Sequence, residues 1–347
     1  MGQSAYSNMV FIPPRGEYTK GMAETEGIKF LKHGKTSNGE SKYVTPYFLV
    51  EPKHTSSSSS TSDHKKGYIV LYCHGNAEDI FQLKDLLVRY AQHFNDYAWF
   101  GFDYGGYSLS EPRVSSEQRC YDDVEACYSF IVNTLNYPPS QVIIFGRSLG
   151  SGIATHLAFT LSQQYEKQVE QASGVGAESS SSSSSFFSSF SSKVSCDDLL
   201  LVRSSSQEPY AGLILQSPIE SVVRVVATSV SYITADMFKN FQKIGKTMKP
   251  VLVIHGVRDE VVPFSHGQSL SKILRKRNKL HQFVQLEDAG HNDIEARYFH
   301  VVLDAIKLFF ETFQPLKTTT DVVVKDNEKT GIILIDNQSD SSSDSSD

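Results

Sequence analysis

Six short apolar runs, each followed by a glycine-rich or polar turn, recur along this chain of 347 residues. They are YIVLYC (68–73), YAWFGFD (97–103), VIIF (142–145), GLILQS (212–217), VLVIH (251–255) and QFVQLE (282–287). Each is short for a buried helix and rich in β-branched and aromatic residues, which marks it as a strand. The runs are apolar with little alternation, so both faces of such strands must be covered. Amphipathic stretches separate them. In 78–94, Leu83, Leu87, Tyr90 and Phe94 share one helical face. In 116–135, Tyr121, Val124, Tyr128, Ile131 and Leu135 do the same, behind a capping-box pattern Ser115-x-x-Gln118. This alternation predicts one α/β domain over 27–313, a mostly parallel sheet with helices on both faces. Upstream, GIKFLKHG (27–34) and YVTPYFLVE (43–51) predict an antiparallel pair at the sheet edge.

Three stretches have too little apolar surface to offset chain entropy: serine tracts near 54–66 and 173–206 and the acidic serine-rich tail 317–347. They are expected to be disordered, the first two as insertions in surface loops. Segment 1–26 stands apart as an N-terminal entry and a candidate for peripheral membrane contact. A net charge of −6 gives no basic footprint for nucleic acid. No apolar run approaches the roughly 18–20 residues of a membrane-crossing helix, and no secretory hydrophobic segment opens the chain. Cys73, Cys120, Cys127 and Cys196 lie far apart and read as reduced thiols, which with the missing secretory segment predicts a cytoplasmic protein. No cofactor is expected, and no metal, because no histidine–carboxylate cluster has ligand spacing.

One junction carries chemistry. VIIFGRSLGSG (142–152) runs a strand into two glycines flanking Ser148. In an open α/β sheet, ligands bind beyond the carboxyl ends of the strands. A nucleophilic serine at such an end sits on a sharp turn, where a Cβ at Gly146 or Gly150 would collide. A serine hydroxyl needs a base, and the base needs an orienting acid. VLVIHGVRDEVVPF places Asp259 just past a strand, with Glu260 as rival acid, and QLEDAGHND places His291 just past the last strand. His74 and His255 read as structural, and His156, His266 and His281 have no triad-like position. CHGNAED (73–79) leaves another strand end, where the backbone N–H of Asn76 can join that of Leu149 as an oxyanion hole. Glu78 and Asp79 are then expected in the first turn of the next helix.

HGNAED, FDYGGYS, GRSLGSG, LILQSPIES, VIHGVRDEVVPFSHG and DAGHND together resemble the alpha/beta hydrolase domain-containing protein 17 subfamily, over about residues 67–313. MVFIPPRGEY (9–18) is similar to that subfamily's entry into the fold. The resemblance implies an α/β-hydrolase fold and a serine hydrolase that removes palmitate from cysteines. S-acylated, membrane-associated proteins would be its substrates, and the cytoplasmic face of membranes a candidate location. It places the nucleophile on Ser148, the acid on Asp259 and the base on His291. A lysophospholipid or monoacylglycerol lipase is the alternative, with a serine peptidase or an inactive scaffold behind it. Members carry an N-terminal cysteine cluster, whereas here the first cysteine is Cys73; Arg147 stands where relatives tend to have glutamine or histidine. About one helix separates GLILQS from VLVIH, which predicts a minimal lid and an open cleft.

Overall fold

The computed structural model describes residues 10–14, 18–36, 38–52, 67–172, 208–226 and 236–313. The two serine tracts, Cys196 and the tail from 317 lie outside the described residues, as does the chain before residue 10.

Among the described residues eight strands form one sheet: β1 Lys29–Lys35, β2 Ser41–Val50, β3 Ile69–Cys73, β4 Ala98–Phe102, β5 Val142–Arg147, β6 Gly212–Gln216, β7 Val251–Gly256 and β8 Leu280–Leu286. Their spatial order is β1-β2-β4-β3-β5-β6-β7-β8. The pairs β1·β2 and β2·β4 are antiparallel, and every later pair is parallel. The six apolar runs all become strands, with limits within two residues of the sequence reading.

Parallel neighbours need crossovers, and the helices that supply them cover both faces. The strand period of two divides each apolar run between two cores. Ile69, Leu71, Cys73, Ile144 and Leu215 join the cluster on one face, while Val70, Tyr72, Ile143, Phe145 and Ile214 join the other. Burial on both sides is why the runs of β3 to β7 are mostly apolar, whereas β8, at the sheet edge and only partly buried, carries Gln282 and Gln285. Cys73, Cys120 and Cys127 are free and buried, and burial pushes their thiols well above the ordinary range.

Two helix starts differ from the sequence reading. The helix Glu117–Asn133 is capped by Ser116, whose side chain accepts the Arg119 N–H at 3.1 Å, and not by Ser115. Two adjacent serines satisfy the same cue, and Gln118 turns outward to Asp122 at 2.9 Å instead of closing a capping box. The helix after β3 is Ile80–His93; Asp79 is its N-cap, accepting the Gln82 N–H at 2.9 Å, so Glu78 falls before the helix. Glu78 is held there by a cation. Between β6 and β7 the described residues form only short helices, Val222–Val226 and Asn240–Lys243, the latter running into a single tight turn.

Candidate active site

β3, β5, β7 and β8 run parallel, so the loops at their carboxyl ends leave the same edge of the sheet. Ser148 follows β5 directly and precedes the helix Leu149–Ala172. Its φ is +51°, in the region that costs an L-residue strain, and its N–H is tied to the Gln216 carbonyl of β6 at 2.9 Å. Both flanking glycines are sterically required. A Cβ on Gly146 would lie 2.5 Å from the Gly150 carbonyl oxygen, and a Cβ on Gly150 would lie 2.1 Å from the Cys73 carbonyl oxygen. These are backbone atoms, which cannot swing aside. The close approach at Gly150 also presses the helix start against the end of β3.

The three residues singled out from separate loops meet. Ser148 Oγ lies 2.9 Å from His291 Nε2, and His291 Nδ1 lies 2.7 Å from Asp259 Oδ2. With Nδ1–H donating to the carboxylate, Nε2 is left free to accept the hydroxyl proton. The residues are 5–8% exposed, so the chain of hydrogen bonds runs through a largely desolvated space. Asp259 Oδ1 accepts the N–H groups of Val261 and Val262 at 2.9 and 2.7 Å. Burial alone would raise the Asp259 pKa; hydrogen bonds from the His255 and His291 rings outweigh it and hold the carboxyl well below the usual range. Glu260 takes no part in this chain: its Oε2 accepts the backbone N–H of His291 at 3.4 Å.

Cys73 and Gly146 are register partners, and Asn76 and Leu149 each lie three positions beyond them, at the same edge of the sheet. Leu149 opens its helix, so its N–H lacks a carbonyl one turn earlier.

Several contacts were not legible as functional. His255, read as structural, donates through Nε2 to the Val262 carbonyl at 3.0 Å and lies 3.2 Å from Asp259 Oδ2, so it helps to hold the acid. Its position one residue before a glycine at a strand end was the available signal. Arg147, which the sequence marks only as a departure from its relatives, is a second such residue. Its guanidinium pairs with Glu78 and, at 3.2 Å, with Glu295, and reaches the His291 carbonyl at 3.4 Å. Glu78 in turn accepts the Gly75 N–H at 2.7 Å. One buried cation thus ties the loop after β3, the nucleophile turn and the His291 loop together. Burial opposes its charge, but Glu78 and Glu295 hold its pKa above the ordinary value. Arg147→Met strands two carboxylates without their cation, and is expected to cost about 2–4 kcal/mol of stability, read from the denaturant midpoint. An unchanged midpoint would mean that these pairs contribute nothing.

The sheet order together with a serine on a glycine-flanked strand–helix turn defines the α/β-hydrolase fold. A family model described as Hydrolase_4, serine aminopeptidase S33, matches residues 64–292. Alpha/beta hydrolase domain-containing protein 17B of Homo sapiens is 30% identical over 300 residues, covering 83% of this chain and 85% of that protein. Its Xenopus laevis counterpart is 30% identical over 230 residues, 66% of this chain and 62% of that protein. Among solved structures, an esterase of Thermogutta terrifontis superposes with TM-score 0.55 at 13% identity, covering 90% of this chain and 100% of that one. This protein is a hydrolase of the α/β-hydrolase class. Within that class it belongs to the alpha/beta hydrolase domain-containing protein 17 family.

Among the described residues no helix is long and apolar enough to cross a membrane.

Proposed function

We propose that the chain is a serine hydrolase that cleaves fatty-acyl thioesters, palmitoyl above all, from S-acylated proteins. The observation that carries the serine chemistry is the continuous bond chain Ser148–His291–Asp259, at 2.9 and 2.7 Å. The resemblance to a depalmitoylating subfamily supports the choice of substrate.

In the first step Ser148 Oγ attacks the thioester carbonyl while His291 Nε2 takes its proton. Asp259 stabilises the imidazolium. The tetrahedral oxyanion rests on the N–H groups of Asn76 and Leu149. The carbon–sulfur bond breaks, the leaving thiolate takes the proton from His291, and an acyl ester remains on Ser148 beside a neutral imidazole. Water then attacks that ester, again giving its proton to His291, and the carboxylic acid departs as Ser148 is restored. A thiolate is a far better leaving group than an amine, so this chemistry asks less of the acid step than peptide cleavage does.

Turnover on an S-palmitoylated peptide is compared with turnover on a monoacylglycerol and a lysophospholipid. A kcat/KM at least about tenfold higher on the thioester is expected. Preference for the oxygen esters by orders of magnitude would replace the depalmitoylase with a lipase.

A further inference from the structure

The segment 10–14 is bound to the loop that carries Asn76. The Asn76 carboxamide grips it at both ends: Nδ2–H donates to the Val10 carbonyl at 2.7 Å, and Oδ1 accepts the Ile12 N–H at 2.9 Å. The Tyr107 hydroxyl donates to the same Oδ1 at 2.5 Å. Phe11, between the two gripped residues, turns inward to 3% exposure and lies edge-on to Phe238, with centroids 6.2 Å apart. Phe238 in turn fills the space beside Gly152, where a Cβ would meet its ring at 2.7 Å. Gly152 is in the first turn of the helix that follows Ser148. The N-terminal segment therefore spans from the loop after β3 to a residue packed on the nucleophile helix.

That loop needs external support. It turns through Ala77 at a φ of +57°, a conformation that persists only where its surroundings over-determine it. Its other holds include the Glu78 side chain on the Gly75 N–H, the His74 ring on the Gly75 carbonyl at 2.8 Å and the Tyr104 hydroxyl on the His74 carbonyl at 2.7 Å. None of these three bonds is made to Asn76, which is held through its own side chain.

We propose that residues 10–12 act as a strap that sets the oxyanion donor of Asn76 against that of Leu149, with the Asn76 side chain as the positioning residue. This rests on the serine-hydrolase reading above. A donor displaced by a few tenths of an ångström weakens a contact made in the transition state but leaves substrate binding unchanged. The signature is therefore a fall in kcat at constant KM.

Asn76→Ala keeps the backbone N–H and removes both grips, together with the acceptor of the Tyr107 hydroxyl and of the Ala77 N–H. Ile12→Pro removes one donor at a residue whose own side chain is 58% exposed, while the ring also restricts the backbone of Phe11. Each variant and the double variant are assayed for kcat, KM and thermal midpoint on one ester. The strap requires kcat to fall about tenfold or more in Asn76→Ala and measurably in Ile12→Pro, with KM within about twofold, both read where the variants are folded; the midpoint of Asn76→Ala falls as well, because the buried Tyr107 hydroxyl loses its acceptor. The double variant should be no slower than Asn76→Ala alone, because the two changes cut one connection. Unchanged kcat, multiplying effects, or losses confined to KM would overturn the strap while a wild type that reacts with a fluorophosphonate still upheld the parent reading. A wild type inert to the probe would sink both.

Discussion

Replacing Ser148 by alanine leaves the protein folded and lowers kcat/KM for ester or thioester hydrolysis by at least about 10,000-fold. The substitution removes one oxygen from a side chain that is 7% exposed. Alanine bears the positive φ no worse than serine, and the neighbours Gly146 and Gly150 keep the turn open. His291 then has no hydroxyl to deprotonate, although the oxyanion donors and the cleft persist. The residual rate is what those alone supply. Steady-state hydrolysis at matched protein concentration, with circular dichroism to confirm folding, measures it. A folded variant that retained more than a few per cent of activity would place the nucleophile elsewhere.

Asp259→Asn is expected to cost about 1,000- to 10,000-fold in kcat through a forced change of tautomer. One Asp259 oxygen accepts the N–H groups of Val261 and Val262, and the other faces His291 Nδ1 at 2.7 Å. The asparagine must keep its carbonyl toward the two N–H donors, so its NH2 points at the imidazole. Nδ1 then has to accept, the ring proton moves to Nε2, and Nε2 can no longer take the serine proton. Glu260→Gln, next in the chain, should change kcat less than about threefold, since Glu260 meets only the His291 backbone. Equal losses in the two variants would mean that the acid has been misassigned.

The depressed pKa of Asp259 also shapes the pH profile. A carboxyl lowered in the folded state lends stability above its unfolded pKa, and that stability is lost only as pH falls through the folded value. Here the loss begins below about pH 4, the ordinary aspartate value. Asp259 therefore stays ionised across the range in which enzyme assays run. With Asp259 ionised throughout, the acid limb of log kcat/KM should carry no contribution from this carboxyl and stay no steeper than one, or about tenfold per pH unit. A slope of two would bring a second titrating group into the mechanism.

Periodicity carried most of the fold. A strand buried on both faces cannot hide its apolar run, so β3 to β7 were legible within two residues, and the edge strand β8 was legible to the same margin. Ser148, Asp259 and His291 were legible because each immediately follows such a run, where the topology leaves no other edge for it. What escaped was tertiary. Ser115 and Ser116 offer the same capping chemistry, and only the packed helix chooses between them. Glu78 looked like a first-turn acid because helix dipoles favour one there; the buried Arg147 guanidinium drew it out of the helix instead. Contacts such as Asn76 with Val10, 66 positions apart, leave no periodic trace in a sequence. His255 escaped for a related reason: its ring meets Asp259 only because the loop after β7 folds back on it.

The convergence of the three loops is tested most directly by mapping where a fluorophosphonate attaches. The probe is attacked only by an activated hydroxyl beside an oxyanion site, and the serine tracts of this chain offer many ordinary hydroxyls as internal controls. Tandem mass spectrometry of the treated protein should find one adduct, on Ser148, and little or none in the His291→Ala variant. An adduct on any other serine, or none on a folded wild-type protein, would contradict the site.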